Sequence, residues 1–262
     1  MRDNVSTHWR PPPPMKAPPT LNAIGAAFTL LELLVVIAII GILAAIGLPA
    51  IKSFTKSNAT ISATRQLLDD IALARQRAIS SRSEVDMVFV SPQVTTLAVD
   101  TLSLDDRKAA TNLFGGQFIS YALFARRQVG EQPGRSTPRY VTSWRTLPEG
   151  TFIAAYKFGK FAINGVAPFL RTNFPVPSVT GQQNFQFPYV GFDYQGRLIS
   201  GRDEIIPLAR GSVFPMRDAA GQFVPGPAEV VETPPGNATN VFNHVRIDWL
   251  TGRARVERLE VK

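Results

Sequence analysis

Between Phe28 and Ile51 nearly every position is apolar, and from Leu33 to Ile51 none is charged. At about 1.5 Å per residue this run is long enough for a helix that crosses a hydrocarbon core of about 30 Å. The pattern then changes. Ile61, Leu68, Ile71, Ala72, Ala78 and Ile79 recur at helical spacing, while Lys52, Lys56, Arg65, Asp69, Arg75 and Arg82 fall mostly off that face. One long helix is therefore predicted, apolar all round over 28–51 and amphipathic over 52–83, ending near Ser81 to Ser83. Pro49 lacks an amide hydrogen and should bend it. Gly41 and Gly47 thin its surface for a close neighbour.

The remainder, 84–262, reads as strands and loops. Val85–Val90 and Val94–Val99 suggest a hairpin around Ser91-Pro92-Gln93. Further strands are expected at Phe118–Phe124, Tyr140–Trp144, Thr151–Tyr156 and Ile205–Leu208. Hairpins are expected at Tyr189–Ile199 and at Val245–Val261, the second turning at Thr251-Gly252. Pro168 to Pro188 and Phe214 to Asn240 read as loops rich in proline and glycine. The fold class is α+β, a long N-terminal helix packed on a meandering antiparallel sheet.

One acid, Glu32, stands at the mouth of the apolar run. A charge deep in a bilayer costs about 2.5–3.5 kcal/mol even on lenient scales, so such a carboxylate implies a partner and a task. Thr29 is read as incidental rather than as a helix cap. Ala27-Phe28-Thr29-Leu30-Leu31-Glu32, followed by Leu-Leu-Val-Val-Ile-Ala-Ile-Ile, resembles the class III signal of type IV pilins and type II secretion pseudopilins. The resemblance implies a leader, residues 1–27, cut by a prepilin peptidase between Ala27 and Phe28, and N-methylation of Phe28. It implies that Glu32 pairs with the terminal amine of a neighbouring subunit during filament assembly, and that Pro49 is the family's helix-bending proline. Where the family carries Gly before the cut, this chain has Ala27. The stretches Leu68–Ile79, Trp144–Gly150 and Val245–Val256 resemble minor pseudopilins of the H type, a looser likeness. Implied partners are the peptidase, other pseudopilins or pilins, an inner-membrane assembly platform and the inner membrane itself. Implied location is a single inner-membrane pass with a periplasmic C-terminal domain.

Composition narrows the remaining chemistry. Among 262 residues there is no cysteine, which excludes disulfides, cysteine metal sites and thiol nucleophiles. Only His8 and His244 are histidines, and no Gly-x-Ser-x-Gly occurs, so neither a zinc site nor a nucleophilic triad is signalled. No catalytic residue, metal or cofactor is expected. The formal charge is +8, and losing Arg2, Arg10, Lys16 and Asp3 with the leader leaves +6. Leader cations place the leader on the cytoplasmic side. In Gly252-Arg253-Ala254-Arg255 the two arginines share a strand face, a pattern similar to minor pilins that bind DNA. A solvated strand face beside Glu257 and Glu260 is preferred over nucleic-acid contact. Secretion pseudopilus and type IV pilus remain open as alternatives.

Overall fold

A computed structural model describes residues 29–97, 99, 102–128, 130–132, 137–176, 184–240 and 243–258, with side chains apart from those of 44–58, 105 and 258. The chain divides into two compact units, Met1–Pro49 and Ala50–Lys262. Helix α1 is assigned from Leu30 to Ser81, and its helical backbone continues through Pro49. The predicted C-terminal end of the helix holds.

Within the second unit, α1 is followed by β1 (Val85–Phe89), α2 (Leu104–Phe114), β2 (Ser120–Ala125), β3 (Arg139–Tyr140), β4 (Arg145–Thr146) and β5 (Thr151–Ile153). Then come β6 (Leu170–Pro175), β7 (Asn184–Phe192), β8 (Glu204–Phe214), β9 (Glu229–Glu232), α3 (Asn237–Asn240), β10 (Asn243–Ile247) and β11 (Ala254–Arg258). Among the described residues these strands form two antiparallel sheets rather than one meander. One has the order β3-β2-β1-β7-β6 with β4 also on β2, the other β11-β10-β8-β5 with β9 also on β8. The architecture is α+β.

The helix face differs from the predicted one by a small rotation. Ala63, Leu67, Ile71, Ala74 and Ala78 are buried, whereas Ile61 and Ile79 are 39% and 40% exposed and Ala72 is exposed. Methyl-sized side chains let the helix lie close to the strands. Around that stripe sit Met87, Phe89, Tyr121 and Phe192 of the first sheet and Phe152, Ile206, Leu208, Val245 and Ile247 of the second, in one continuous cluster. The opposite face of β1 supplies Val88 to a second cluster with Ala110, Leu113 and Phe114 of α2 and Phe124, Phe174 and Phe187. Strand β1 is buried on both faces, in keeping with its four apolar residues, Val85, Met87, Val88 and Phe89.

Several expectations fail for identifiable reasons. The segment after Ser91 does not pair with β1, because β2 and β7 already flank that strand. Pro92–Thr96 instead forms a 3-10 turn, held by Thr95 and Thr96 hydroxyls donating to the Pro92 and Gln93 carbonyls. The region read as loop from Pro168 contains β6 and the first part of β7. Pro188 is tolerated there because the β1 pairing ends at Tyr189. Strand β8 extends to Phe214 and pairs with β9, again inside a region read as irregular. Tyr140–Trp144 contributes only the short β3, and Thr151–Tyr156 ends as a strand at Ile153. The closing hairpin pairs as predicted, Val245 opposite Val256.

Polar groups fix α1 to the sheets. Buried Asp70 accepts from the Tyr121 hydroxyl at 2.7 Å and pairs with Arg145. The Gln66 amide donates to the Tyr121 hydroxyl at 2.9 Å and to the Thr146 carbonyl at 3.2 Å. One turn further on, Arg75 Nε donates to the Thr251 carbonyl at 2.6 Å. Gly252, at φ +61°, presses there against Gly196, whose carbonyl oxygen a Cβ would overlap.

Asp86 is a second buried acid, opposite Gly191 in the β1–β7 register. Its Oδ2 accepts from Arg126 Nε at 3.0 Å, and Arg126 also meets Glu84 at 3.0 Å. Its Oδ1 has no hydrogen-bond partner among the described residues and would lie 2.6 Å from a Cβ at Gly191. Burial pushes the carboxyl up to about 6, against the pull of Arg126.

Asp70→Ala should lower stability by about 2 kcal/mol, because it leaves the Tyr121 hydroxyl buried without its acceptor; chemical denaturation at neutral pH measures this. Because the Asp86 pKa is raised on folding, the folded chain binds a proton between pH 4 and 6 that the unfolded chain does not. Stability should therefore rise as pH falls from 7 towards 4. At about 1.4 kcal/mol per pH unit of displacement the swing is on the order of 3 kcal/mol. Asp86→Asn should remove that slope, read as the difference in melting temperature between variant and parent across the range.

Candidate assembly surface

The helix begins with a built cap. Thr29 Oγ1 accepts from the Glu32 backbone N–H at 3.1 Å, and the Thr29 carbonyl accepts from Leu33 N–H at 3.1 Å. Thr29 is thus an N-cap and not incidental. The cap places Glu32 in the first turn, at the positive end of the helix macrodipole, with its side chain exposed. No described residue forms an ion pair with it.

From Leu30 to Leu43 every side chain is exposed, and Leu30 reaches 82%. The apolar groups point to all sides of the helix. Gly41 has nothing within 4 Å of where a Cβ would stand. An apolar surface this extensive is the signature of a surface covered by something other than water. Among the described residues no helix is long and apolar enough to cross a membrane. The run with described side chains covers 30–43, about 20 Å of rise, short of a hydrocarbon core of about 30 Å. The membrane-spanning expectation is not supported on those residues. Ala27 and Phe28, the expected cleavage and methylation positions, lie outside the described residues, and Pro49 closes the first unit.

Residues 26–48 match the model of the prokaryotic N-terminal methylation motif. The chain carries a prepilin-type signal. It implies processing by prepilin peptidase and assembly with other pilins, and it supports a type IV pilin-like or pseudopilin protein. No curated protein and no solved structure matches the chain.

The closing hairpin presents its arginines in a different state from the one a bare motif suggests. Arg253 precedes β11 and is exposed. Arg255 is exposed too, but its guanidinium holds Glu257 Oε1 at 3.0 Å and 3.2 Å. Arg246 grips both Glu257 oxygens at 3.1 Å and meets Asp203 at 3.3 Å. Partial burial pushes the Glu257 carboxyl up, and the bonds from Arg246 and Arg255 more than offset it, holding it below the usual carboxylate range. Two of these cations are thus engaged by carboxylates. His244 is buried in β10, and burial pushes its imidazole down to about 4, so it is neutral at physiological pH.

The stretches Leu68–Ile79, Trp144–Gly150 and Val245–Val256 meet in space. Asp70 of the first pairs with Arg145 of the second, and Arg75 of the first donates to Thr251 of the third. Leu68, Ala72, Gln76 and Ile79 line one groove together with Gly252, Arg253 and Ala254. Sequence reasoning named these stretches without finding their joint role. The available signal was the buried acid Asp70, which sits on the apolar side of an amphipathic helix and therefore needs partners.

Proposed function

We propose that this chain is a minor pseudopilin of a type II secretion system, a structural subunit of a periplasmic filament without catalysis of its own. The observation that carries the reading is the coincidence of the methylation motif at 26–48 with an exposed apolar helix that holds Glu32 in its first turn. In this reading prepilin peptidase cuts between Ala27 and Phe28, and Phe28 becomes the methylated terminus. Residues 28–51 hold the subunit in the inner membrane until the assembly platform moves it into the filament, and 84–262 stay periplasmic.

The chemistry of Glu32 follows from desolvation. A carboxylate among leucines and a terminal amine on a neighbour each forfeit hydration when helices bundle. Pairing offsets part of that cost and fixes the axial register of one subunit against the next. The exposed Glu32 carboxylate, without an ion pair among the described residues, supports that role. The preference for a secretion filament over a type IV pilus rests on the H-like stretches around Asp70, Arg145 and Thr251. The DNA-binding alternative through Arg253 and Arg255 is less favoured, since a phosphate would have to displace Glu257 from Arg255.

Glu32→Ala should leave insertion and leader cleavage intact and reduce recovery of the chain in filaments by roughly tenfold. Mass analysis of the parent from its native envelope should show a methylated Phe28 terminus. Recovery of the chain with Met1 intact, or filament incorporation of the variant at the parent's level, would overturn the assignment.

A further inference from the structure

After Thr151–Ile153 the chain makes a 3-10 turn at Ala155–Phe158 and then leaves the core. Residues 159–165 are all exposed, and the chain reverses at Asn164-Gly165. Both have positive φ, +53° and +75°, the geometry of a two-residue hairpin turn, for which Asn-Gly is the preferred pair. Ile163 and Val166 bridge across it with bonds of 3.1 Å and 2.9 Å. Val166 and Phe169 then return to the core. Phe161, in the outgoing arm, is 81% exposed, with Ile163 half out beside it.

The root of this hairpin is fixed more firmly than a solvent loop needs. Lys157 is wholly buried, pairs with buried Glu204 of β8, and donates to the Ala167 carbonyl at 2.7 Å. Its ammonium lies 4.5 Å from the centre of the Phe169 ring. Arg171 donates to the Phe158 carbonyl at 2.7 Å, and the Asn164 amide reaches the Thr239 carbonyl at 3.4 Å. A buried ion pair is weak evidence for stability, because desolvation consumes most of the attraction, and its better-attested role is to specify geometry. Here the geometry specified is a stiff arm with an aromatic side chain in water.

We propose that the 159–166 hairpin is a docking knob: Phe161 and Ile163 seat in an apolar pocket, rimmed by a carboxylate, on the neighbouring subunit of the filament. The inference rests on the filament reading above and adds the contact made by the globular part. Lys160 carries the charge argument, because it is exposed beside Phe161 and forms no ion pair among the described residues. A carboxylate near the mouth of the seat would complement that charge. A membrane surface is the poorer occupant, since anionic lipid recognition uses clusters of about four to eight basic residues and this arm offers one. A rigid aromatic anchor, ordered before contact, suits a protein pocket because little entropy is lost on docking.

The test uses the full chain expressed in its native envelope. Phe161→Asp should keep the parent's melting temperature, leader cleavage and Phe28 methylation, since the side chain touches little of its own fold. Its recovery in filaments should fall roughly tenfold. A benzophenone amino acid placed at 161 should give, on irradiation, one discrete adduct whose partner peptide comes from a protein with its own N-terminal methylation motif. Normal filament recovery of Phe161→Asp, adducts with lipid alone, or no adduct would overturn the knob. An uncut parent leader would instead overturn the filament reading, so the two failures are distinguishable.

Discussion

Close approach between α1 and the strands depends on how little side chain lies between them. Ala63, Ala74 and Ala78 stand on the buried stripe, and its larger apolar members are Leu67 and Ile71. Large residues come instead from the sheets, from Phe89, Tyr121, Phe152 and Phe192. A core built this way is sensitive to added volume, and on the helix side an extra methylene would push the helix away from the strands. The same economy recurs at Gly252 and Gly196, where backbone meets backbone beside Arg75. Both sheets thereby gather on one helix, and without that helix each would expose an apolar face.

Close packing alone does not fix the helix in rotation, since an alanine-rich face can slide. Asp70 supplies the register. Its carboxylate can reach the Tyr121 hydroxyl and Arg145 together in only one placement of α1, and Gln66 repeats the constraint one turn earlier. Nonpolar burial provides the driving force, and the polar clamp chooses among nearly equivalent packings. Asp86 plays no such part. It is buried with one oxygen unmatched, and its raised pKa records a cost that the fold carries at neutral pH.

The helix, its end and the closing hairpin were legible because each rests on local signals: an uncharged run, a change of period, and a Thr-Gly turn between alternating segments. The stripe was misplaced by a small rotation because hydropathy favours Ile61 and Ile79 over alanines, while packing distance favours the alanines. Val94–Val99 looked like a strand because its apolar spacing fits either period, and only the occupation of both edges of β1 decides against it. Strands β6 and β9 were hidden by neighbouring prolines and glycines that end ladders without preventing them. Of the candidate site, Glu32 and the surrounding apolar run could be read directly. Thr29 as a cap could have been, since Thr three residues before Glu is a capping pattern. Phe161 stood out only once its exposure was known, because an isolated phenylalanine in sequence reads as core.

The two parts of α1 obey opposite rules, and the contrast constrains how the chain works. From Leu30 to Leu43 the side chains are large, apolar and uncovered; from Ala63 to Ala78 the buried ones are mostly small and already matched to strands. A segment of the first kind is stable only when its surroundings are apolar or when other helices cover it. A segment of the second kind needs nothing further. Association through the first segment therefore adds a stabilising contact without disturbing the fold of the second unit, and the globular surface is free to specify which neighbour is accepted. A single rigid aromatic on that surface contributes little to the strength of bundling but can discriminate between neighbours, because only a subunit with a matching cavity avoids leaving it in water.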